Sequence, residues 1–367
     1  MHAELAAPRA AMKKSDSKID KQSPAQQNPR GKRVWIYVAG IVGAALVFGF
    51  GWHWINGLEP QSPERDPALA KPAPVDGARA YAYLKQLCAI GPRIAGSAAN
   101  TKQRELVADH FKRLGGSVRE QPFNARHPIT GKAVPMVNLI ASWFPERKER
   151  VIILAHYDTR PRPDEETDPA RRALPFLGAN DGASGVALLM EIAHHLKEDA
   201  TPWGIDLVLM DGEELVYDES GRRYGEFFLG AKEFARQYAK ERRTGKATSK
   251  YVCGILLDMV AGRDQVIRRE PNSMKFANGL VRELWAVARH VGARSFVEDI
   301  GREVLDDHLA LNDAGIPTAD LIDFEYPHWH LASDTPENCA PEPLEEVGRV
   351  VTAWLSLPKS SRKENRR

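Results

Sequence analysis

Leu207-Val208-Leu209-Met210-Asp211-Gly212-Glu213-Glu214 is the stretch around which the chain is organised. Four consecutive apolar residues predict a strand buried on both faces, and the acidic residues that follow at once predict a strand end that delivers carboxylates into a cleft. Adjacent glutamates raise one another's pKa unless positive charge stands beside them, and a bound cation is the simplest source of it. Taken alone, an acidic pair reads more readily as a solvated turn. The rest of the chain reverses that reading.

The chain has 367 residues, 43% hydrophobic and 27% charged, enough for one large core or two modest ones, and its net charge of +2 argues against a nucleic-acid partner. Cys88, Cys253 and Cys339 are too few and too scattered for a disulfide framework or a zinc knuckle. The fold must stand on its core.

The N-terminal region differs from the rest. Residues 1–33 are polar and basic (Lys13, Lys14, Lys18, Lys21, Arg30, Lys32, Arg33) without apolar periodicity and read as a disordered tail. Residues 34–55 are apolar apart from His53, with Trp35, Tyr37, Trp52 and Trp54 near the two ends, and are read as a transmembrane anchor, since roughly 20 apolar residues span a bilayer. A cleaved signal peptide is the rival reading, disfavoured by the length of the apolar core and of its leader. The basic excess before the span predicts a cytoplasmic N-terminus and an extracytoplasmic catalytic domain, hence a single-pass membrane protein. A Pro-rich linker over 56–76, a catalytic domain over 77–358 and a basic tail over 359–367 complete the expected organisation.

Within 77–358 the periodicity predicts helices over 78–87 and 100–114, then strands over 117–123, 134–143 and 151–156. Gly178-Ala179-Asn180-Asp181-Gly182-Ala183-Ser184-Gly185 leads into a helix over 186–196. The buried strand is followed by a helix over 229–238, a strand over 252–258, a helix over 274–291 and a short strand near Phe296. A short helix after Asp306, a strand over 318–322 and a helix over 344–355 close the chain. Strands alternating with helices predict a single α/β domain with a mainly parallel, mixed central sheet flanked by helices. Ligands of such sheets sit at the carboxyl ends of the strands.

That rule gives the scattered polar residues one address. His156, Asp158, Asp181, Glu213, Glu214 and Asp258 fall at or just past strand ends, while Asp306, Asp307, His308 and His330 occupy later loops. A set rich in imidazole and carboxylate and free of thiolate suits Zn2+ held by a few protein ligands, with one position open for substrate. Singly, His330 reads as a surface histidine, Asp258 as a helix cap and Asp181 as a turn residue. Their recurrence near strand ends carries the argument.

In their order, His156-Tyr157-Asp158, Gly178-Ala179-Asn180-Asp181, Asp211-Gly212-Glu213-Glu214, Leu257-Asp258, Asp306-Asp307-His308 and Trp329-His330 resemble the zinc aminopeptidase-like family of metallopeptidases, and within it the glutaminyl-peptide cyclotransferases (glutaminyl cyclases). The resemblance covers about residues 77–356, including Gly96-Ser97, Tyr224-Gly225 and Gly315-Ile316-Pro317. It implies one zinc on Asp181, Glu214 and His330, Glu213 as general acid/base, and Asp258 with Asp306 as a hydrogen-bonded carboxylate relay holding Glu213. The implied substrate is a peptide or protein N-terminus, with N-terminal glutamine cyclised to pyroglutamate and ammonia released. Two-zinc aminopeptidases of the family would add a second metal on His156 and Asp258 and hydrolyse the first peptide bond with a metal-activated water.

Both variants keep the same ligand residues, so the choice rests on details. Trp329 before His330, as a substrate-binding wall, and the Tyr224-Gly225 pair resemble the cyclases. Gly182-Ala183-Ser184-Gly185, Val216-Tyr217-Asp218 and the short Tyr326-Pro327-His328 segment depart from them. The cyclase is the preferred expectation, the aminopeptidase its alternative, and a catalytically silent membrane-tethered peptide-binding protein a minor one.

Overall fold

In the computed structural model, which describes residues 65–215 and 227–359, the run ending at Met210 is a strand with every residue buried, Gly204–Met210. In chain order the elements are α1 (Gly77–Cys88), α2 (Ala98–Arg113), β1 (Ser117–Arg126), β2 (Ala133–Trp143), β3 (Glu149–His156), α3 (Pro169–Arg172), α4 (Ala183–Ala193), β4 (Gly204–Met210), α5 (Leu229–Arg243), β5 (Lys250–Asp258), β6 (Ile267–Arg269), α6 (Pro271–Phe276), α7 (Asn278–Val291), β7 (Phe296–Ile300), α8 (Asp307–Asp313), β8 (Thr318–Ile322) and α9 (Pro341–Leu355).

Six strands form one sheet in the order β1-β2-β4-β3-β5-β8. β4, β3, β5 and β8 run parallel, while β1 and β2 form an antiparallel pair added at the β4 edge. The expected mixed α/β sheet flanked by helices is therefore present. Successive residues of the central strands feed opposite cores. Val151, Ile153 and Ala155 of β3, with Ile205, Leu207 and Leu209 of β4, pack beneath α1, α2, α4, α7 and α9. Ile152, Leu154, Val208 and Met210 pack against α5 and α8. Burial on both faces is why these strands are written as unbroken apolar runs rather than as alternation. Gly185 lets α4 lie against β3 and β5, since a Cβ there would run into the Leu257 carbonyl oxygen and the Ala155 side chain.

Three expectations change. The helix expected over 274–291 is two helices, α6 and α7, separated at Ala277 (φ −134°). Glu270 caps α6 through the N–H groups of Asn272 and Ser273, and the weak helix formers Asn278 and Gly279 follow the break. The strand at Phe296 pairs with Ile267–Arg269 in a separate two-stranded sheet instead of joining the main one. The second half of the expected linker is fastened to the domain. Arg65 pairs with Glu283 at 2.8 Å and lies over the Trp354 ring, while the N–H groups of Lys71 and Ala73 donate to Ser356 and Thr352.

The reading of a single-pass membrane protein, anchored through residues 34–55 with its catalytic domain outside the cytoplasm, is corrected. Among the described residues no helix is long and apolar enough to cross a membrane. The entirely buried α4 has only 11 residues, roughly 16 Å at 1.5 Å per residue against a hydrocarbon layer of about 30 Å. Residues 1–33, 34–55, 56–64 and 360–367, together with Val216-Tyr217-Asp218 and Tyr224-Gly225, lie outside the described residues.

Candidate metal centre and active site

The carboxyl ends of β3, β4, β5 and β8 open on one cleft of about 690 Å³, lined among others by Asp181, Glu213, Glu214, Asp258, Asp306 and His330. Each acid arrives on a loop with its own fastening. Asp211 accepts the Val137 N–H at 2.8 Å, the Asn100 amide at 3.1 Å and the Tyr157 hydroxyl at 3.0 Å, so it pins the turn after β4 rather than facing the cleft. Gly212 supplies the left-handed step of that turn (φ 74°). Asp158 then takes the N–H groups of Glu213 and Glu214 at 3.1 and 3.0 Å and fixes where both glutamates point.

Asp181 is presented by the loop before α4. The N–H groups of Asn180 and Asp181 donate to the carboxylate of Asp334 at 2.8 and 3.1 Å, and Tyr326 donates its hydroxyl to the same carboxylate at 3.0 Å. The wholly buried Arg93 donates to the carbonyl oxygens of Leu177 and Gly178 and holds the start of the loop. His330 follows β8 in the left-handed region (φ 55°), uncommon outside glycine. Trp329 stacks on its ring at 3.8 Å between centroids.

These fastenings bring the three expected ligands together. Donor atoms of Asp181, Glu214 and His330 lie within 4.8 Å of one another, and all three residues are buried. His330 Nε2 is 3.4 Å from Asp181 and 3.4 Å from Glu214. Glu214 Oε2 is buried without a hydrogen bond. Two carboxylates and an imidazole converging at that spacing, with one carboxylate oxygen unsatisfied, fit a Zn2+ ion with a coordination position left for substrate. A second convergent set, His156, Asp181 and Asp258, shares Asp181 with the first. There His156 Nε2 stands 3.2 Å from both Asp181 and Asp258.

The electrostatics match a site short of positive charge. Burial, then the neighbouring Glu214, pushes the Glu213 carboxyl well above its ordinary range. Burial, then Asp258, does the same to Asp306, and burial also raises Asp258. Asp158 is pushed up to about 8 by burial and by Asp211. Arg160 is the cation closest to the ligands, its Nε 3.0 Å from Glu214 and 2.8 Å from His330 Nε2.

Every site residue named from the sequence reaches this neighbourhood. Within Asp306-Asp307-His308 only Asp306 lines the cleft; His308 is buried behind it, between Glu270 at 3.4 Å and Asp320 at 3.7 Å. Sequence reasoning missed Arg160 and Asp164, which lie in a polar loop without periodicity, and Asp334, whose role is to hold backbone N–H groups. Phe227 and Phe228 also line the cleft. A half-buried aromatic pair just before α5 carries no sequence signal that separates a wall from a core.

The fold and site are those of a metallopeptidase-like enzyme. The model of peptidase family M28 matches residues 138–355, and the chain belongs to that family. It is an enzyme of the glutaminyl cyclase type, with zinc exopeptidases also among its structural relatives. A solved glutaminyl cyclase of Fimbriiglobus ruber is 45% identical, with TM-score 0.76, covering 79% of this chain and 97% of that one. A leucine aminopeptidase precursor of Bacteroides thetaiotaomicron is 30% identical, with TM-score 0.72, covering 79% of this chain and 100% of that one. The glutaminyl-peptide cyclotransferase of Drosophila melanogaster is 25% identical over 66% of this chain and 70% of its own length. Family and exopeptidase relatives point to zinc.

Proposed function

We propose that this enzyme cyclises N-terminal glutamine of peptides and proteins to pyroglutamate. The observation that carries the choice is the 45% identity to a glutaminyl cyclase over nearly its full length, against 30% to the aminopeptidase precursor. Asp181, Glu214 and His330 would hold a single zinc, which supplies a Lewis acid for the side-chain amide carbonyl.

The chain's own residues perform the proton work. Trp329 and the apolar side of the cleft seat the glutamine side chain, and the surrounding carboxylates attract the α-amine. The amine nitrogen bonds to the side-chain carbonyl carbon and gives one proton to Glu213. The bond from that carbon to the amide nitrogen breaks, and the same proton leaves Glu213 with the departing nitrogen as ammonia. Atoms and charge balance without a water molecule. Asp258 and Asp306 would act behind Glu213 as a carboxylate relay; burial, Glu214 and then Asp306 favour the form of Glu213 that carries the proton between its two transfers.

A second reading is supported by the convergence of His156, Asp181 and Asp258, which offers a site for the second metal of a peptide-hydrolysing aminopeptidase. Incubating the purified protein with a Gln-initiated peptide and with amino-acid anilides, each with and without a chelator, separates the two. A chelator-sensitive mass loss of one ammonia supports the cyclase; release of the free amino acid in its place rejects it in favour of the peptidase.

A further inference from the structure

The connection between β3 and α4 does more than present Asp181. Within it, residues 164–166 run along the outer side of His330 and bind that segment at three points. The Glu165 N–H donates to the His330 carbonyl oxygen at 3.3 Å. The Glu166 carboxylate accepts the Ala332 N–H at 3.0 Å and is itself held by Arg171 at 2.8 and 2.9 Å. Asp164 Oδ1 faces His330 Nδ1 at 3.2 Å, while its Oδ2 accepts from Arg160 at 3.1 Å. That Oδ1 is buried and makes no aligned hydrogen bond, so its approach to Nδ1 is a charge contact with no competing donor.

The two ring nitrogens of His330 are thereby distinguished. Nε2 accepts an N–H from Arg160 Nε at 2.8 Å, so its lone pair points to the side of Asp181 and Glu214, where Arg160 Nε also stands 3.0 Å from Glu214 and has to give way to a bound cation. In the neutral ring the proton then sits on Nδ1, the nitrogen that Asp164 faces. A carboxylate on the outer nitrogen of a ligating histidine fixes its tautomer and orientation and increases the basicity of the inner nitrogen. The ring is confined between Trp329 at 3.8 Å and Phe176 at 6.3 Å between centroids. A left-handed backbone at a residue other than glycine persists only where its surroundings hold it.

We propose that Asp164 is the positioning residue for His330, facing the N–H that stays on Nδ1 and leaving Nε2 aimed at the divalent cation, with residues 164–166 holding the left-handed backbone beneath it. This rests on the zinc reading of Asp181, Glu214 and His330 given above. Asp164 lines the cleft but acts through His330, whose outer nitrogen it faces.

The test measures zinc affinity in the full chain by competition with a chromophoric chelator, for wild type, Asp164→Asn, Asp164→Ala and His330→Ala. Asp164→Asn keeps the shape and an acceptor but loses the charge, so a purely structural role predicts wild-type behaviour. The expected result is zinc bound about 10- to 100-fold more weakly, an altered absorption spectrum of the cobalt-substituted protein, and an unchanged melting temperature of the zinc-free form. Asp164→Ala should weaken zinc at least as much. Affinity within about twofold of wild type in both Asp164 variants, while His330→Ala loses zinc, overturns the proposal alone. Wild-type affinity in His330→Ala overturns the zinc reading beneath it.

Discussion

Asp158 accepts the backbone N–H of Glu214 at 3.0 Å through one carboxylate oxygen, and its other oxygen takes the N–H of Glu213 at 3.1 Å. One buried side chain two residues past β3 thus sets the direction of both glutamates that follow β4. Replacing it by alanine leaves two buried donors unsatisfied, about 1–3 kcal/mol each. Asp158→Ala is expected to lower the melting temperature and to weaken zinc binding together. Wild-type metal content and wild-type turnover in the folded variant would show that the turn aims the glutamates without it.

The two glutamates should separate experimentally. Glu214→Ala removes a ligand and should empty the metal site, as should Asp181→Ala or His330→Ala. Glu213→Gln keeps size and metal but cannot carry a proton, and general acid/base groups contribute about 100- to 10,000-fold in rate. Turnover by Glu213→Gln with zinc retained should therefore fall at least about 100-fold. Unchanged turnover would move the proton shuttle to Asp258 or Asp306.

Metal counting addresses the second convergent set. A single tightly held zinc per chain is expected from elemental analysis after extensive dialysis, and His156→Ala should retain it, because His156 is not among Asp181, Glu214 and His330. Two equivalents in wild type, with one lost in His156→Ala, would favour the two-metal aminopeptidase.

Trp329 lines the cleft and stacks on His330, and its indole neither titrates in the working range nor ligates a metal. Trp329→Ala is expected to raise KM with a smaller fall in kcat, the pattern of lost substrate contact. An equal fall in kcat and kcat/KM at unchanged KM would mean that the ring acts only in the transition state.

Away from the cleft, the wholly buried Glu191 of α4 is bound by Arg79 at 2.6 and 2.7 Å, by His195 at 2.9 Å and by the Asp76 N–H at 2.9 Å. Burial works against its charge, but His195 and Arg79 prevail and hold its pKa at about 2, below the ordinary 4.5. A depressed carboxyl stabilises the fold above its unfolded value and loses that contribution as pH falls from about 4.5 to about 2. Such a shift corresponds to about 3 kcal/mol. In urea unfolding, the stability advantage of wild type over Glu191→Gln should be large at neutral pH and shrink steadily through that acid window. The same difference at both ends of the window would remove the ionised Glu191 from the account.

Sequence alone determined the class of fold and the order of the site. The Leu207–Met210 run, bounded at once by Asp211 and Gly212, reads as a strand buried on both faces because nothing in it suits water, and the loops after such strands had to carry the polar groups. It also limited the chemistry, since a set of carboxylates and imidazoles without thiolate suits few metals. Tertiary structure decided what separates neighbours in the chain. Asp211 and Glu214 look alike in sequence, yet one anchors a turn and the other faces the cleft, because direction depends on backbone bonds to Val137 and Asp158. Asp306 reaches the cleft while His308, two residues on, is buried behind it, since α8 turns the second away. The strap from Asp164 to Glu166 was beyond periodicity because it is held by His330 and Ala332, distant in sequence, and the break at Ala277 because it rests on a cap at Glu270 and on Asn278 and Gly279, which apolar spacing does not weigh. The span read at residues 34–55 rests on hydropathy alone, since those residues lie outside the described ones, among which no helix is long and apolar enough to cross a membrane.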